Sequence, residues 1–261
     1  MSSILLAAIN QYAVGLVTNG LTMNLDAGDS SSYSGSGTAW NDISGNGNGA
    51  TLVGPTYVSG SDAHFDFNGT SHYAYSNGLV YGNGSTLSEV SCFAWVRTTY
   101  NSGTAGTWEN SNWALLDFDR SEVFTFSLNG TGEVHFSGTS SANGGFSSTQ
   151  YDLVGTARNN NGAWHMVGWT FSVANQEIKM YVDGSLDRTH TPPSGSFTAL
   201  GAGLTRYGYI GDGSEALTPN GGGNGIYYDG DIGQILLYEN KALTLDEVTQ
   251  NWNATRGRFG V

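Results

Sequence analysis

The densest run of ionisable side chains is Asp117-Phe118-Asp119-Arg120-Ser121-Glu122, with three carboxylates in six residues. Alternate residues of a strand project from one face, so such a run can aim two carboxyls at one bond. Glycoside hydrolysis with retention uses a pair of this kind, about 5 Å apart, as acid and nucleophile. The competing reading makes Asp119 to Glu122 a turn between an apolar run ending at Phe118 and another starting at Val123, with Arg120 pairing a carboxylate. The pattern D-x-S-E returns at Asp212-Gly213-Ser214-Glu215, again directly after an apolar run, and chance similarity is the default explanation. Sugar binding would also need rings to stack on pyranose faces. Loop rings at Tyr100, Trp108, Trp113, Tyr151, Tyr207 and Tyr227 could supply them. The candidate ligand-binding set is Trp108, Trp113, Asp119, Glu122, Asp212 and Glu215.

Nucleophilic and zinc chemistry find less support. There is no G-x-S-x-G elbow, and His64, His72, His135, His165 and His190 show neither H-E-x-x-H nor Cys-His spacing. His165, following Trp164 at the start of an apolar run, reads as a satisfied strand histidine. The lone Cys92 sits in Val90-Ser91-Cys92-Phe93-Ala94-Trp95-Val96 with no electropositive neighbour, and is expected to be a buried thiol. Catalysis is therefore not expected.

The elements that must position these residues are strands. The 261 residues include 39 Gly, 14 Tyr, 11 Phe and 7 Trp, the mixture of turn formers and large rings that short strands need. Strand signals recur at Leu21–Leu25, His64–Phe67, Val90–Val96, Ala114–Phe118, Val123–Leu128, Glu133–Phe136, Trp164–Phe171, Ile178–Val182, Tyr207–Ile210 and Ile232–Tyr238. Asp183-Gly184 closes one of them as a tight hairpin turn. Thr244-Leu245-Asp246-Glu247 reads as a capping box opening a short helix over about 244–254, with Leu245, Val248 and Trp252 as its apolar stripe. These runs predict an all-β, two-sheet antiparallel sandwich spanning 21–261, preceded over 1–20 by an arm or short helix.

Nine Lys and Arg stand against 22 Asp and Glu, a net charge of −13, which disfavours nucleic acid and anionic membrane surfaces. The apolar stretch Ile4 to Ile9 has no basic flank and is too short to span a bilayer, so neither a signal peptide nor membrane insertion is expected. In the arm model it docks on a partner; in a free module it folds back on its own domain.

Several segments, in order, resemble laminin-G-like, concanavalin A-like jelly-roll domains. They are Leu25-Asp26-Ala27-Gly28, Trp40 to Gly49, Phe65-Asp66-Phe67-Asn68-Gly69, Trp164-His165-Met166-Val167, Met180 to Gly184, and Asp229 to Tyr238 with Ala242-Leu243-Thr244. The opening Gly20 to Gly28, with Tyr33 to Thr38 and Trp40, is similar to versions of the domain in virion proteins of tailed bacteriophages. That resemblance implies a non-enzymatic virion structural protein, a capsid decoration or a fibre or adhesin component. Its partners would be other virion proteins and copies of itself, with host cell-surface glycans as ligands, and its location the virion. A free carbohydrate-binding module is the alternative. Glucanases of the same fold carry E-x-D-x-x-E or E-x-D-x-E, against which Asp117 is one methylene short, so a β-glucanase-like hydrolase is the weaker alternative. Domains of this family often carry calcium, which makes Asp26, Asp42, Asp229 and Asp231 candidate ligands. Asp and Asn are also ordinary turn residues, and that reading competes.

Overall fold

The structure is a computed structural model that describes residues 15–82, 86–103, 113–139, 151–192, 196–201 and 204–261. The expected arm over Ile4 to Ile9 and the ring of Trp108 lie outside the described residues.

Two eight-stranded antiparallel sheets face each other. The first follows the order β14 (Ser185–His190), β13 (Glu177–Val182), β12 (His165–Ser172), β7 (Glu89–Arg97), β16 (Asp229–Glu239), β5 (His64–Asn68) and β4 (Thr56–Val58). β1 (Leu21–Asp26) joins it by pairing with the second half of β16, whose first half pairs with β5. The second sheet runs β11 (Tyr151–Arg158), β10 (Glu133–Gly138), β9 (Phe124–Leu128), β8 (Trp113–Asp117), β15 (Arg206–Ile210), β6 (Tyr73–Tyr81), β3 (Ala50–Val53) and β2 (Ala39–Trp40). This is the expected sandwich, with β7, β12 and β16 at the buried centre of the first sheet.

Period-2 alternation sends Phe124, Phe126, Val134 and Phe136 of the second sheet inward to meet Trp169 and Phe171 of the first. Trp169 is fully buried, with ring centroids of Phe124 and Phe136 at 5.2 and 4.7 Å in edge-on geometry. Cys92 is a fully buried free thiol whose pKa burial pushes well up, as expected for an inert structural cysteine.

The outer face of the first sheet is covered by α1 (Leu245–Phe259). Its start carries the anticipated box, with Thr244 accepting from the Glu247 N–H and Glu247 accepting from the Thr244 N–H. The helix extends past 254 to a left-handed Gly260 cap. The anticipated stripe needs correction at one position. Val248 is buried and Trp252 packs on the outer core, but Leu245 is 46 % exposed. The buried face instead runs through Val248, Asn251 and Phe259, because Asn251 is held by hydrogen bonds to Tyr238 and to the Val17 N–H. Leu16 and Val17, ahead of β1, thus pack on the outer core beside this helix.

Asp183 and Gly184 both have positive φ, 50° and 75°, the conformation a two-residue hairpin turn requires. At one side of the sandwich the edge strands β11 and β14 close on each other. The Asp187 carboxylate accepts the N–H groups of Thr156 (2.7 Å) and Ala157 (3.1 Å). Arg188 and His190 both donate to the Val154 carbonyl.

Candidate ligand-binding surface

The acidic run Asp117 to Glu122 ends β8 and turns into β9. Val123 N–H bonds Asp119 O at 2.7 Å and Asp119 Oδ1 caps the Ser121 N–H, so Asp119 to Glu122 form a turn between the two apolar runs. Because β15 lies beside β8, the second D-x-S-E segment folds back against this turn. Asp117 accepts from Thr125 Oγ1, from the Asp119 N–H at 3.0 Å and from the Ser214 N–H at 2.6 Å. Arg206 donates from Nε to Asp119 at 2.8 Å and from Nη2 to Glu215 at 3.5 Å. Glu122 accepts the Leu204 N–H, and Asp212 accepts those of Gly213 and Ile226. Four of the six candidate ligand-binding residues, Asp119, Glu122, Asp212 and Glu215, thus share one network, whose centre is Asp117 and Arg206.

That network is enclosed. Asp117, Asp119, Glu122 and Asp212 are all buried, and only Glu215 reaches solvent. Trp113 is also buried, in the main core, where its ring stands edge-on to Tyr100. A glycosidase needs two carboxyls open to a sugar, and here they serve backbone N–H groups and a buried arginine. Ser127, His135 and Asp152 form a second line across β9, β10 and β11 that runs from the interior to an exposed carboxylate: Ser127 Oγ lies 2.8 Å from His135 Nδ1, and His135 Nε2 pairs Asp152. Ser127 and His135 are both buried, which suits a cross-strand network better than an accessible nucleophile.

Burial pushes the Asp212 carboxyl up to about 6 and that of Asp117 well above the usual range, against the N–H groups that pull them down. A folded-state value above the unfolded one means that the folded protein binds the proton more tightly. The Asp212 contribution is then complete below about 4 and is lost as pH rises through about 6, amounting to about 2–3 kcal/mol. Urea midpoints are expected to fall between pH 4.5 and 7.5, and Asp212→Asn to flatten that slope. A wild-type midpoint that rises steadily over this window would refute the assignment.

The four candidate calcium ligands are not gathered into one site. Asp26 pairs with Arg258 and accepts the Gly28 N–H. Burial works against the Asp42 charge, but donors from Asn24, Ser44 and Asn48 outweigh it and hold the carboxyl low. Asp231 meets Arg97 Nε at 2.6 Å. Asp229 lies next to Asp66, and burial followed by the Asp66 charge raises its pKa. Among the described residues no three His, Cys, Asp or Glu side chains are placed to share an ion. His165 is satisfied as expected, by Asp183 at 2.8 Å and Asn161 at 3.0 Å.

What is open is a cleft of about 550 Å³ where β7 ends and β16 begins, lined by Asp66, Arg97, Thr98, Tyr100, Asp229 and Asp231 among others. Its base depends on Gly230, φ 143°, where a Cβ would come within 2.5 Å of Arg97 O and 2.8 Å of Thr98 Cβ. Arg97 bridges Asp231 and Asp62 and lies 4.8 Å over the Trp164 ring. The 98–103 loop is pinned by Tyr100 N–H to Thr98 Oγ1, Asn160 Nδ2 to Tyr100 O and Ser102 N–H to Gly130 O. Tyr100 is nevertheless 41 % exposed, its ring backed by Trp113 at 4.5 Å and 78°. Among the described loop rings named from sequence, it is the one that combines exposure with this cleft. The acids opposite it come from β5 and β16, which the sequence separates by some 160 positions, so spacing could not have joined them.

The model of the concanavalin A-like lectin/glucanases superfamily, laminin G type, matches residues 67–249. No curated protein matches the chain by sequence. Among solved structures, the binding domain of Paraclostridial Mosquitocidal Protein 1 is similar at 14 % identity and TM-score 0.60, covering 91 % of this chain and 52 % of that one. Domain 4 of an extracellular arabinanase from Geobacillus stearothermophilus, in complex with arabinotriose, is similar at 17 % identity and TM-score 0.57, covering 88 % of this chain and 97 % of that one. Trypanosoma rangeli sialidase is similar at 14 % identity and TM-score 0.57, covering 93 % of this chain and 34 % of that one. The chain thus spans about half of the toxin binding domain and a third of the sialidase. At these identities the likeness is one of fold.

Proposed function

Since the chain belongs to the concanavalin A-like lectin/glucanases superfamily, we propose that it is a non-enzymatic, lectin-like module that binds neutral glycans in the cleft between Tyr100, Asp66 and Asp229. The observation that carries this reading is the exposed Tyr100, its ring backed by Trp113, among the residues that line a cleft rich in acceptors. The side-chain carboxylates of Asp66 and Asp229 have no hydrogen-bond or ion-pair partner among the described residues, so both can accept from sugar hydroxyls. A platform fixed before binding loses little entropy when the ligand arrives. With a net charge of −13, the protein selects against acidic sugars. The arabinanase domain of the same fold, solved with arabinotriose, agrees with a neutral oligosaccharide as the ligand class. Burial of the carboxyls at Asp117, Asp119 and Glu122 supports the non-enzymatic half of the reading.

The test is calorimetric titration with neutral and sialylated oligosaccharides. Neutral ligands should bind and sialylated ones should not, and Tyr100→Ala should weaken binding about ten-fold or more by removing a stacked apolar face. Affinity unchanged in Tyr100→Ala would remove the cleft from consideration.

The setting we propose is a virion surface, with other virion proteins and further copies of the chain as partners. Its support is the likeness of Gly20 to Gly28, Tyr33 to Thr38 and Trp40 to tailed-phage virion domains. Electron microscopy of native particles tests it, since particles lacking density for the sandwich would leave the free lectin module as the better description.

A further inference from the structure

A second cleft, of about 700 Å³, opens at the other end of β16, between Glu239, Tyr81 and the Asn46–Asn48 loop. β16 spans 11 residues, so at about 3.3 Å per residue the two clefts stand roughly 30 Å apart along one strand. The second cleft is constructed from both sheets. Tyr81, 5 % exposed on β6, donates its hydroxyl to Glu239 Oε1 of β16, which fixes the carboxylate across the mouth of the sandwich. Asn46 and Asn48 each give Nδ2 to a β1 carbonyl, of Leu21 and Thr22, at 2.9 Å. With the nitrogens anchored, the amide oxygens remain as acceptors. Asn48 Oδ1 lies 3.6 Å from where a Cβ on Gly78 would stand, so it faces the glycine gap in the cleft wall. No Lys or Arg lines the cleft among the described residues. An acceptor-rich, cation-free cleft matches a ligand that brings hydroxyl donors.

Building on the glycan-binding reading of the Tyr100 cleft, we propose that the Glu239 cleft is a second, independent site for a neutral sugar, which makes a single chain bivalent. Two sites on one rigid body raise avidity for a multivalent surface without any new contact, provided that the surface presents sugars at matching spacing. The pinned amides and the Tyr81 bond pre-set the second site in the way that the 98–103 loop pre-sets the first.

The experiment is a nuclear magnetic resonance titration of the isotopically labelled full chain with arabinotriose, maltotriose, cellotriose and chitotriose, with calorimetric stoichiometry alongside. Two groups of amides report separately: Asn48, Gly78 and Asn240 for the Glu239 cleft, and Tyr100, Gly162 and Gly230 for the first. Both groups should move with at least one of these sugars, at two ligands per chain. Glu239→Gln, which can still accept from Tyr81, should weaken binding at the Asn48 group about ten-fold and leave the Tyr100 group unchanged. Gly78→Ala adds a methyl in ordinary contact with Asn48 and should have the same effect if the Glu239 variant folds poorly. Movement at the Tyr100 group alone, at one ligand per chain, overturns the second site and leaves the parent reading standing. Movement at the Glu239 group alone supports a sugar site there but overturns the Tyr100 cleft and, with it, the bivalent chain. Silence at both groups with all four sugars overturns both.

Discussion

Alanine at Trp169 is expected to cost about 3–5 kcal/mol, as large ring deletions in packed cores do. The ring is fully buried between the sheets, edge-on to Phe124, Phe126 and Phe136, and none of these strand-borne neighbours can move in to fill the space. Natural domains have only about 5–15 kcal/mol of net stability, so the loss would take a large share of it. Guanidinium unfolding of Trp169→Ala beside Trp169→Phe provides the check. The phenylalanine variant, which keeps an aromatic at the centre, should recover a substantial part of the loss. A cost below about 1 kcal/mol for the alanine variant would mean that the two sheets do not meet at this ring.

Arg206→Ala is the second large expectation, again about 3–5 kcal/mol, for a different reason. Arg206 is buried and holds Asp119 at 2.8 Å with Glu215 beyond it. Removing the guanidinium leaves the buried Asp119 charge uncompensated, and that penalty exceeds what the pair itself contributes. The double variant Arg206→Met with Asp119→Asn removes both charges together. Asparagine tolerates the left-handed φ of 63° at position 119, so this variant should be markedly more stable than Arg206→Ala alone. Equal stability of the single and double variants would show that charge burial is not the source. Amide hydrogen exchange adds local resolution: the Tyr207 N–H, bonded to Ala216 O at 3.0 Å, should lose protection in Arg206→Ala before the β7–β12 centre does.

How far these features could be read from the sequence depended on whether the information was local. β7, β12 and β16 announce themselves because a central strand is apolar on both faces, and the Asp183-Gly184 turn and Thr244 box are set by residues two or three apart. β6 gives no such signal because Asn77-Gly78 interrupts its alternation, and β14 none because an exposed edge, Ser185 to His190, carries no apolar face to alternate. The D-x-S-E echo was visible, but its meaning was not. Whether Asp119 and Glu215 meet depends on β15 lying beside β8, and that pairing joins segments almost ninety residues apart. The same limit hid the Tyr100 cleft: the ring could be named, but the acids facing it arrive through the β5–β16 register. The proposed calcium set failed to converge for a related reason, since Asp26 and Asp231 each found an arginine and Asp42 found backbone donors, partners that only the tertiary structure supplies.

The closed seam between β11 and β14 bears on how many copies can be crowded together. An unpaired edge strand is a template for the next molecule, and dense arrays of β-sandwiches therefore risk polymerising through their backbones. Here the N–H groups of Thr156 and Ala157, which a neighbouring strand would need, already bond the Asp187 carboxylate, and the Val154 carbonyl is shared by Arg188 and His190. An incoming strand would have to displace a charged acceptor and two donors before making its first bond. Along this side the domain is sealed against its own kind, so close lateral spacing would not lead to fibre growth from this edge.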